Sequence, residues 1–365
     1  MPAKPLSTNG RKPDTNIAGR KPDTDIADRL LAWYDRHARD LSWRAKAGET
    51  PDPYRVWLSE VMLQQTTVAA VRPRFEAWVA RWPNVGSLAA ADEADVMAAW
   101  AGLGYYARAR NLVRTARAVA AGGAFPRTEA ELRTLPGLGA YTAAAVAAIA
   151  WDQRAVVVDA NVERVVARLR AIDTPLPPAR PEIRAAADAI TPDARPGDFA
   201  QATMDLGATI CTSRKPRCLL CPLRDACAGF ASGAPERFPV KKAKRDKPQR
   251  HGTIFWLERG GEVLLVRRPA TGLLGGMRAL PTGPWADDPP GLAGAPAEAN
   301  WRLAPERVRH GFTHFDLDLA LAVAIVDRHG RVDEAGEWWP IADLATAGLP
   351  TIFAKAARAF TESST

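Results

Sequence analysis

A chain of 365 residues, 47% hydrophobic and 25% charged, is long enough for two or three domains with cores of their own, which excludes the short disulfide-framed class. Its 49 Lys and Arg against 41 Asp and Glu give a formal charge of +8 and a pI near 9.5, a balance that suits a polyanion as partner. No apolar run reaches membrane-spanning length and no charged, apolar, small-residue leader opens the chain, so the expectation is a cytosolic protein without membrane contact.

In chain order, residues 10–18 (GRKPDTNIA) and 19–27 (GRKPDTDIA) form a tandem repeat poor in apolar residues, and residues 1–24 read as a disordered tail. Residues 25–230 are alanine-rich with helical apolar spacing (Val61, Val68, Val71, Phe75, Trp78, Trp82), broken by Pro and Gly turns, which predicts an all-α domain. Residues 231–250 are basic and proline-containing and read as a linker. Residues 251–362 predict an α+β domain. Thr253 to Leu257 and Val263 to Val266 flank Gly260 and Gly261 as a hairpin. Phe315, Leu317, Leu319, Leu321, Val323 and Ile325 alternate as a long half-buried strand, and residues 352–360 close the chain as a helix.

All four cysteines fall within seventeen residues: Cys211, Cys218, Cys221 and Cys227. Four thiolates this close can converge on one metal centre. The compact run with unequal spacers suits a [4Fe-4S] cluster, and a zinc site, which usually takes two separated C-x2-C pairs, is the alternative. Arg214, Lys215, Arg217 and Arg224 lie between the thiols, where they either face an anionic polymer or solvate a loop.

Residues 135–146 (LPGLGAYTAAAV) place Gly137 and Gly139 before an alanine-rich helix. Such a turn can aim amide N–H groups at a phosphate, and it can equally be a plain inter-helix turn. Taken with a downstream Asp and the Cys-x6-Cys-x2-Cys-x5-Cys run, the segment resembles the helix-hairpin-helix DNA glycosylases of the endonuclease III superfamily. Residues 57–66 (WLSEVMLQQT) and 102–112 (GLGYYARARNL) are similar to the MutY adenine DNA glycosylases, and the likeness runs from about residue 39 to residue 227.

The resemblance implies an enzyme of base excision repair that flips adenine out of duplex DNA, opposite 8-oxoguanine or G, and hydrolyses its N-glycosidic bond. It implies a [4Fe-4S] cluster, a double-stranded DNA partner, a monomer, and a bacterial cytoplasm with nucleoid association. Where strand-cutting relatives carry a lysine able to form a Schiff base, this chain has Tyr141, so the chemistry is expected to be monofunctional. Glu60 sits among Leu58, Val61 and Met62, where lost solvation would favour a protonated carboxyl, and the resemblance makes it the general acid for adenine departure. Asp159, preceded by three valines, reads as a helix N-cap, and the resemblance makes it the carboxylate that faces the sugar cation, assisted by Asn161 and Tyr141. The family's Asp-Gly-Asn is here Asp159-Ala160-Asn161. If that glycine served a positive φ, Ala160 would be strained.

By the same resemblance Gln65 and Tyr105 wedge into the duplex, while Arg39, Leu41, Trp43, Arg44 and Gln201 line the adenine pocket. The C-terminal region resembles the MutT-like (Nudix-fold) module of these enzymes. From Gly272 onward it lacks the paired-glutamate helix that holds magnesium, so it is expected to bind rather than hydrolyse. Phe312, Thr313 and His314 stand where the family has Phe-Ser-His, the loop implied to meet the oxidised guanine. Two other readings remain: a bifunctional endonuclease III-like glycosylase/AP lyase, and a non-catalytic iron-sulfur DNA-binding protein.

Overall fold

The computed structural model describes residues 23–46, 48–100, 102–242, 247–269, 272–312, 314–327 and 330–362. The repeat-bearing tail up to residue 22 and Thr313 of the expected lesion loop lie outside the described residues. In chain order the helices are α1 (Asp23–His37), α2 (Pro53–Leu63), α3 (Val68–Arg81), α4 (Val85–Ala89), α5 (Glu93–Ala99), α6 (Ala107–Gly122), α7 (Glu129–Leu132), α8 (Ala140–Trp151), α9 (Ala160–Arg170), α10 (Arg180–Ile190), α11 (Pro196–Thr209) and α12 (Ala228–Ala231). Strands β1 (Gln249–Arg259), β2 (Glu262–Arg267), β3 (Arg278–Ala279), β4 (Arg302–Gly311), β5 (Asp316–Ile325) and β6 (Glu337–Pro340) follow, and α13 (Thr351–Glu362) ends the chain. The expected helical region followed by an α+β region is present.

Two compact units form: residues 1–40, 127–129 and 140–242, and residues 41–126, 130–139 and 243–365. The division does not fall at the expected boundary near residue 231. The chain leaves the first unit after α1, touches it again at residues 127–129 and re-enters it at α8, so the helical region is shared between the two.

In the first unit α8 is apolar on every side, with residues 142–148 all buried, and α11 packs on it, on α9 and on α1. The segment read as a linker is not free throughout. Phe238 is buried, its carbonyl accepts from Nε of the buried Arg168 at 3.0 Å, and Leu176 N–H donates to Val240 O at 2.8 Å. The buried Phe238 ring, these hydrogen bonds and the Arg237–Asp173 ion pair at 2.7 Å hold the segment against this unit.

In the second unit α2 starts with Asp52 capping Tyr54 N–H and Pro53 in the first turn, and α3 starts with Thr67 capping Ala70 N–H. Trp57, Phe75, Trp78 and Trp100 form the helical core, with Trp78 edge-on to both Trp82 and Trp100. The sheet order is β3-β2-β1-β5-β4, with β6 also on β2 and β1 parallel to β5. Gly260 and Gly261, at φ 56° and 83°, turn β1 into β2 as the sequence predicts. Leu317, Leu319 and Leu321 of β5 are buried as expected, whereas Ile325 is 68% exposed because it sits on the last rung of the β1 pairing. α13 covers the sheet core with Ile352, Phe353, Ala356 and Phe360.

Candidate active site and DNA interface

Eight of the eleven residues of α2 are buried, Glu60 among them at only 7% exposed. An apolar helix thus carries one carboxyl into the interior of the second unit. Leu41 and Trp43 are buried in the same unit, Trp43 lying edge-on to Phe75 at 5.5 Å, so both act there as core residues; Arg44 is half-buried.

The turn after α7 holds Gly137 at φ 76°, and Pro136 O accepts from the Thr115 hydroxyl. A Cβ on Gly137 would lie 2.6 Å from Asn111 Cβ, so the position needs glycine for both conformation and space. Gly139 is a different case. Its φ is not positive and its Cβ direction is open, with no heavy atom within 4 Å, so its backbone is accessible rather than specially bent.

Gln65 and Tyr105 are both exposed, and both non-glycine backbones adopt left-handed angles, φ 56° and 48°. Such angles are disfavoured in residues with a Cβ and commonly mark functional positions. Tyr105 leaves 56% of its surface in solvent, unusual for a ring with an apolar body.

In the first unit Asp159 caps α9. Its Oδ1 accepts from Asn161 N–H at 2.8 Å and Val162 N–H at 2.7 Å, and its Oδ2 accepts from Asn161 Nδ2 at 2.8 Å. Three donors and a helix N-terminus therefore fix one carboxylate. Ala160 is the first residue of α9 without positive φ, so the departure from glycine costs no backbone strain. Asn161 Oδ1 in turn accepts from Arg164 Nη2 at 2.8 Å, and Arg164 also donates to Gly207 O at 2.6 Å and Cys211 O at 2.7 Å. Burial pulls the Arg164 guanidinium below its ordinary pKa, offset by the nearby Cys211. Gly207 is required by close approach: a Cβ there would meet Asn161 Cβ at 2.6 Å. Tyr141 and Gln201 are half-buried, Gln201 Nε2 reaching Gly197 O at 3.4 Å. Arg39 is committed to the fully buried Asp205, by Nε at 2.5 Å and backbone N–H at 3.0 Å.

The cysteine loop hangs from α9 as well. Arg168 Nη1 reaches Cys211 Sγ at 3.3 Å and Thr212 O at 2.7 Å, and its Nη2 reaches Ser213 O at 3.1 Å. The thiols lie near enough to feel one another's charge: burial first, and then the charges of Cys211, Cys227 and Cys218, push Cys221 up to about 12 against the lowering effect of a backbone hydrogen bond at Leu223. Burial raises Cys218 and Cys227 too. Among the described residues no group of three or more His, Cys, Asp or Glu is closed to a metal's ligand spacing. The donor chemistry nevertheless fits a thiophilic centre, since thiols held this way stay neutral unless a metal's charge converts them to thiolates. Arg214, Lys215 and Arg217 are exposed on the same loop, while Arg224 pairs with Asp225 at 3.0 Å.

In the β4–β5 turn Phe312 packs against Trp285, Phe315 and His310, with centroids 5.8, 5.0 and 4.7 Å away, and His314 is exposed. Lys247 Nζ donates to Phe312 O at 2.7 Å. Glu60, Gln65, Tyr105, Gly137, Gly139, Phe312 and His314 thus belong to the second unit, and Tyr141, Asp159, Asn161, Gln201 and the cysteines to the first. Sequence reasoning missed Arg164, Arg168 and Asp205, whose partners lie far away in sequence; only the i, i+4 pair of arginines on α9 hinted at them.

The helical region and the α+β region each have a family: residues 58–192 match the model of the "HhH-GPD superfamily base excision DNA repair protein" and residues 253–359 that of the "NUDIX domain". A thermostable thymine-DNA glycosylase structure aligns with a TM-score of 0.51 at 27% identity, over 57% of this chain and 97% of that one. The adenine DNA glycosylase of Mycolicibacterium smegmatis is 40% identical over 247 residues, 66% of this chain and 80% of that protein. That of Mycobacterium tuberculosis (strain H37Rv) is 43% identical over 230 residues, 62% and 72% respectively. The chain belongs to the adenine DNA glycosylase family. The human member is 38% identical over 70% of this chain, which spans only 57% of that protein's length.

Proposed function

We propose that the chain is a monofunctional adenine DNA glycosylase that removes adenine opposite 8-oxoguanine or G. The observation that carries the reading is the Asp159 carboxylate, held by three donors at the start of α9 in a member of this family. A carboxylate so fixed keeps its charge oriented toward the oxocarbenium-like sugar that forms as the base departs. Glu60 delivers a proton to the adenine ring nitrogen on the five-membered side, which lets the base leave as a neutral molecule. Tyr141 and Asn161 complete the sugar-facing side, and a phenol at residue 141 forms no imine, so the strand stays intact.

Gln65 and Tyr105 enter the duplex beside the vacated space, and the amides around Gly137 and Gly139 hold the backbone. Arg39, Leu41, Trp43, Arg44 and Gln201 serve adenine recognition. Cys211, Cys218, Cys221 and Cys227 hold a [4Fe-4S] cluster, whose charge orders the basic loop that meets phosphates. Phe312, Thr313 and His314 read the oxidised guanine in a Nudix-like domain that does not hydrolyse nucleotides. No helix among the described residues is long and apolar enough to cross a membrane.

The test is adenine release from duplexes carrying A opposite 8-oxoguanine, G or T, with the full chain and with a chain ending at Pro248. Fast release opposite 8-oxoguanine, with the preference lost on truncation, supports the reading. A preference untouched by truncation removes the lesion-reading role.

A further inference from the structure

Arg108, in the first turn of α6, is used by nothing described above, yet it is among the most heavily bonded side chains of the second unit. Its Nη1 donates to the carbonyls of Val61 at 2.8 Å, Met62 at 3.3 Å and Gln64 at 2.7 Å. Its Nη2 donates to Leu103 at 2.9 Å and Gly104 at 3.2 Å. The guanidinium carbon lies 5.0 Å from the Trp100 ring centroid and 5.7 Å from that of Tyr105. One planar fork therefore joins the C-terminal end of α2 to the loop before α6. A lysine cannot reproduce this, because its donors radiate from a single point.

The acceptors are informative. Gln64 immediately precedes Gln65, and Gly104 immediately precedes Tyr105, the two exposed residues with left-handed backbones. A non-glycine residue relaxes out of that conformation unless its surroundings fix the flanking peptides. Arg108 fixes both flanking peptides at once, and its cation also faces the Tyr105 ring. Burial lowers its pKa, since the guanidinium is largely withdrawn from solvent.

We propose that Arg108 is a positioning residue that sets Gln65 and Tyr105 together in the geometry for entering the duplex. The inference rests on the reading of those two residues as the wedge. It makes the wedge one braced unit, whose two parts depend on a single side chain that touches neither base nor sugar.

The experiment compares wild type, Arg108→Lys and Tyr105→Ala in single-turnover adenine release from two DNAs. One is a fully paired duplex with A opposite 8-oxoguanine; the other is the same duplex with the flanking pairs mismatched, so that the base is already unstacked. Arg108→Lys is expected to lose about ten-fold or more on the paired duplex and less than about two-fold on the opened one. In parallel, the rise in 2-aminopurine fluorescence, with that base in place of the target adenine, is expected to slow on the paired duplex alone. Equal losses on both DNAs, or no loss on either, overturn the proposal. If Tyr105→Ala shows the paired-duplex defect and Arg108→Lys does not, the Arg108 role alone fails; if neither shows it, the wedge reading fails and takes Arg108 with it. Each variant is first matched to wild type by circular dichroism, with Arg108→Gln in reserve. Failure of both Arg108 variants to fold makes it a fold residue and also overturns the proposal.

Discussion

Asp159→Asn separates the helix cap from the proposed role toward the sugar cation. An asparagine can keep an oxygen toward the Asn161 and Val162 amides, now 2.8 and 2.7 Å from Oδ1. Its new NH2 group then points at Asn161 Nδ2, which now donates to Oδ2 at 2.8 Å, so donor meets donor and one hydrogen bond is lost. Asn161 cannot simply flip, because its Oδ1 accepts from Arg164 at 2.8 Å. One lost hydrogen bond with the cap retained costs about 1 kcal/mol, a fall of roughly 2–4 °C in Tm for a domain of this size. On the proposed function the lost charge is expected to cost far more, about 3–4 kcal/mol or 10²–10³-fold in rate. The assay is single-turnover adenine release with enzyme in excess, alongside thermal melts and duplex binding. Release within about five-fold of wild type, with the small Tm loss present, would show that Asp159 is a helix cap and nothing more.

Gly137→Ala is expected to lower Tm by several degrees, because φ 76° is disfavoured for alanine by about 1–2 kcal/mol and the new Cβ meets Asn111. Gly139→Ala is expected to melt like wild type yet bind duplex DNA less tightly, since its Cβ enters open space where a phosphate would approach; indistinguishable melts for the two variants would refute this contrast. His310 is held below its ordinary pKa by burial and then by the charge of Lys355. The unfolded chain takes up that proton near pH 6.5 and the folded chain only at lower pH, so this contribution is full above about 6.5 and fades as pH falls through it. Urea midpoints measured between pH 7.5 and 5 should fall, and His310→Gln should flatten the trend; an unchanged slope in the variant contradicts it. Cys218→Ser, or removal of iron by a chelator, is expected to reduce folding yield or duplex affinity before it alters the rate of base release at saturating enzyme. A stable variant with unchanged affinity would deny the loop its role.

Local spacing made much of the fold legible. The glycine pair before an apolar helix, the double-glycine hairpin at residues 260–261 and the cysteine run each carry their information within a few neighbouring residues. The same holds for Asp159, whose cap partners are two and three residues away. Long-range pairings were not legible. Arg39 meets Asp205 across 166 residues, and Arg108 reaches back 47 residues to Val61; no periodicity singles out either arginine among the other basic residues of its region. The apparent linker was misleading for a related reason, because Phe238 is buried and long-range pairings such as Arg237–Asp173 and Leu176–Val240 seat part of a polar segment. Ala160 shows the converse: the position tolerates alanine because it begins a helix rather than a turn.

The central claim is that a buried acid and a fixed carboxylate expel adenine by hydrolysis alone. The most direct measurement quantifies free adenine and strand integrity together, on a duplex with A opposite 8-oxoguanine, for wild type and Glu60→Gln. The expected result is stoichiometric adenine from wild type with the strand intact until alkali is added, and duplex binding without adenine from Glu60→Gln. Adenine released normally by Glu60→Gln, or a strand cut without alkali and trapped by borohydride, would contradict it.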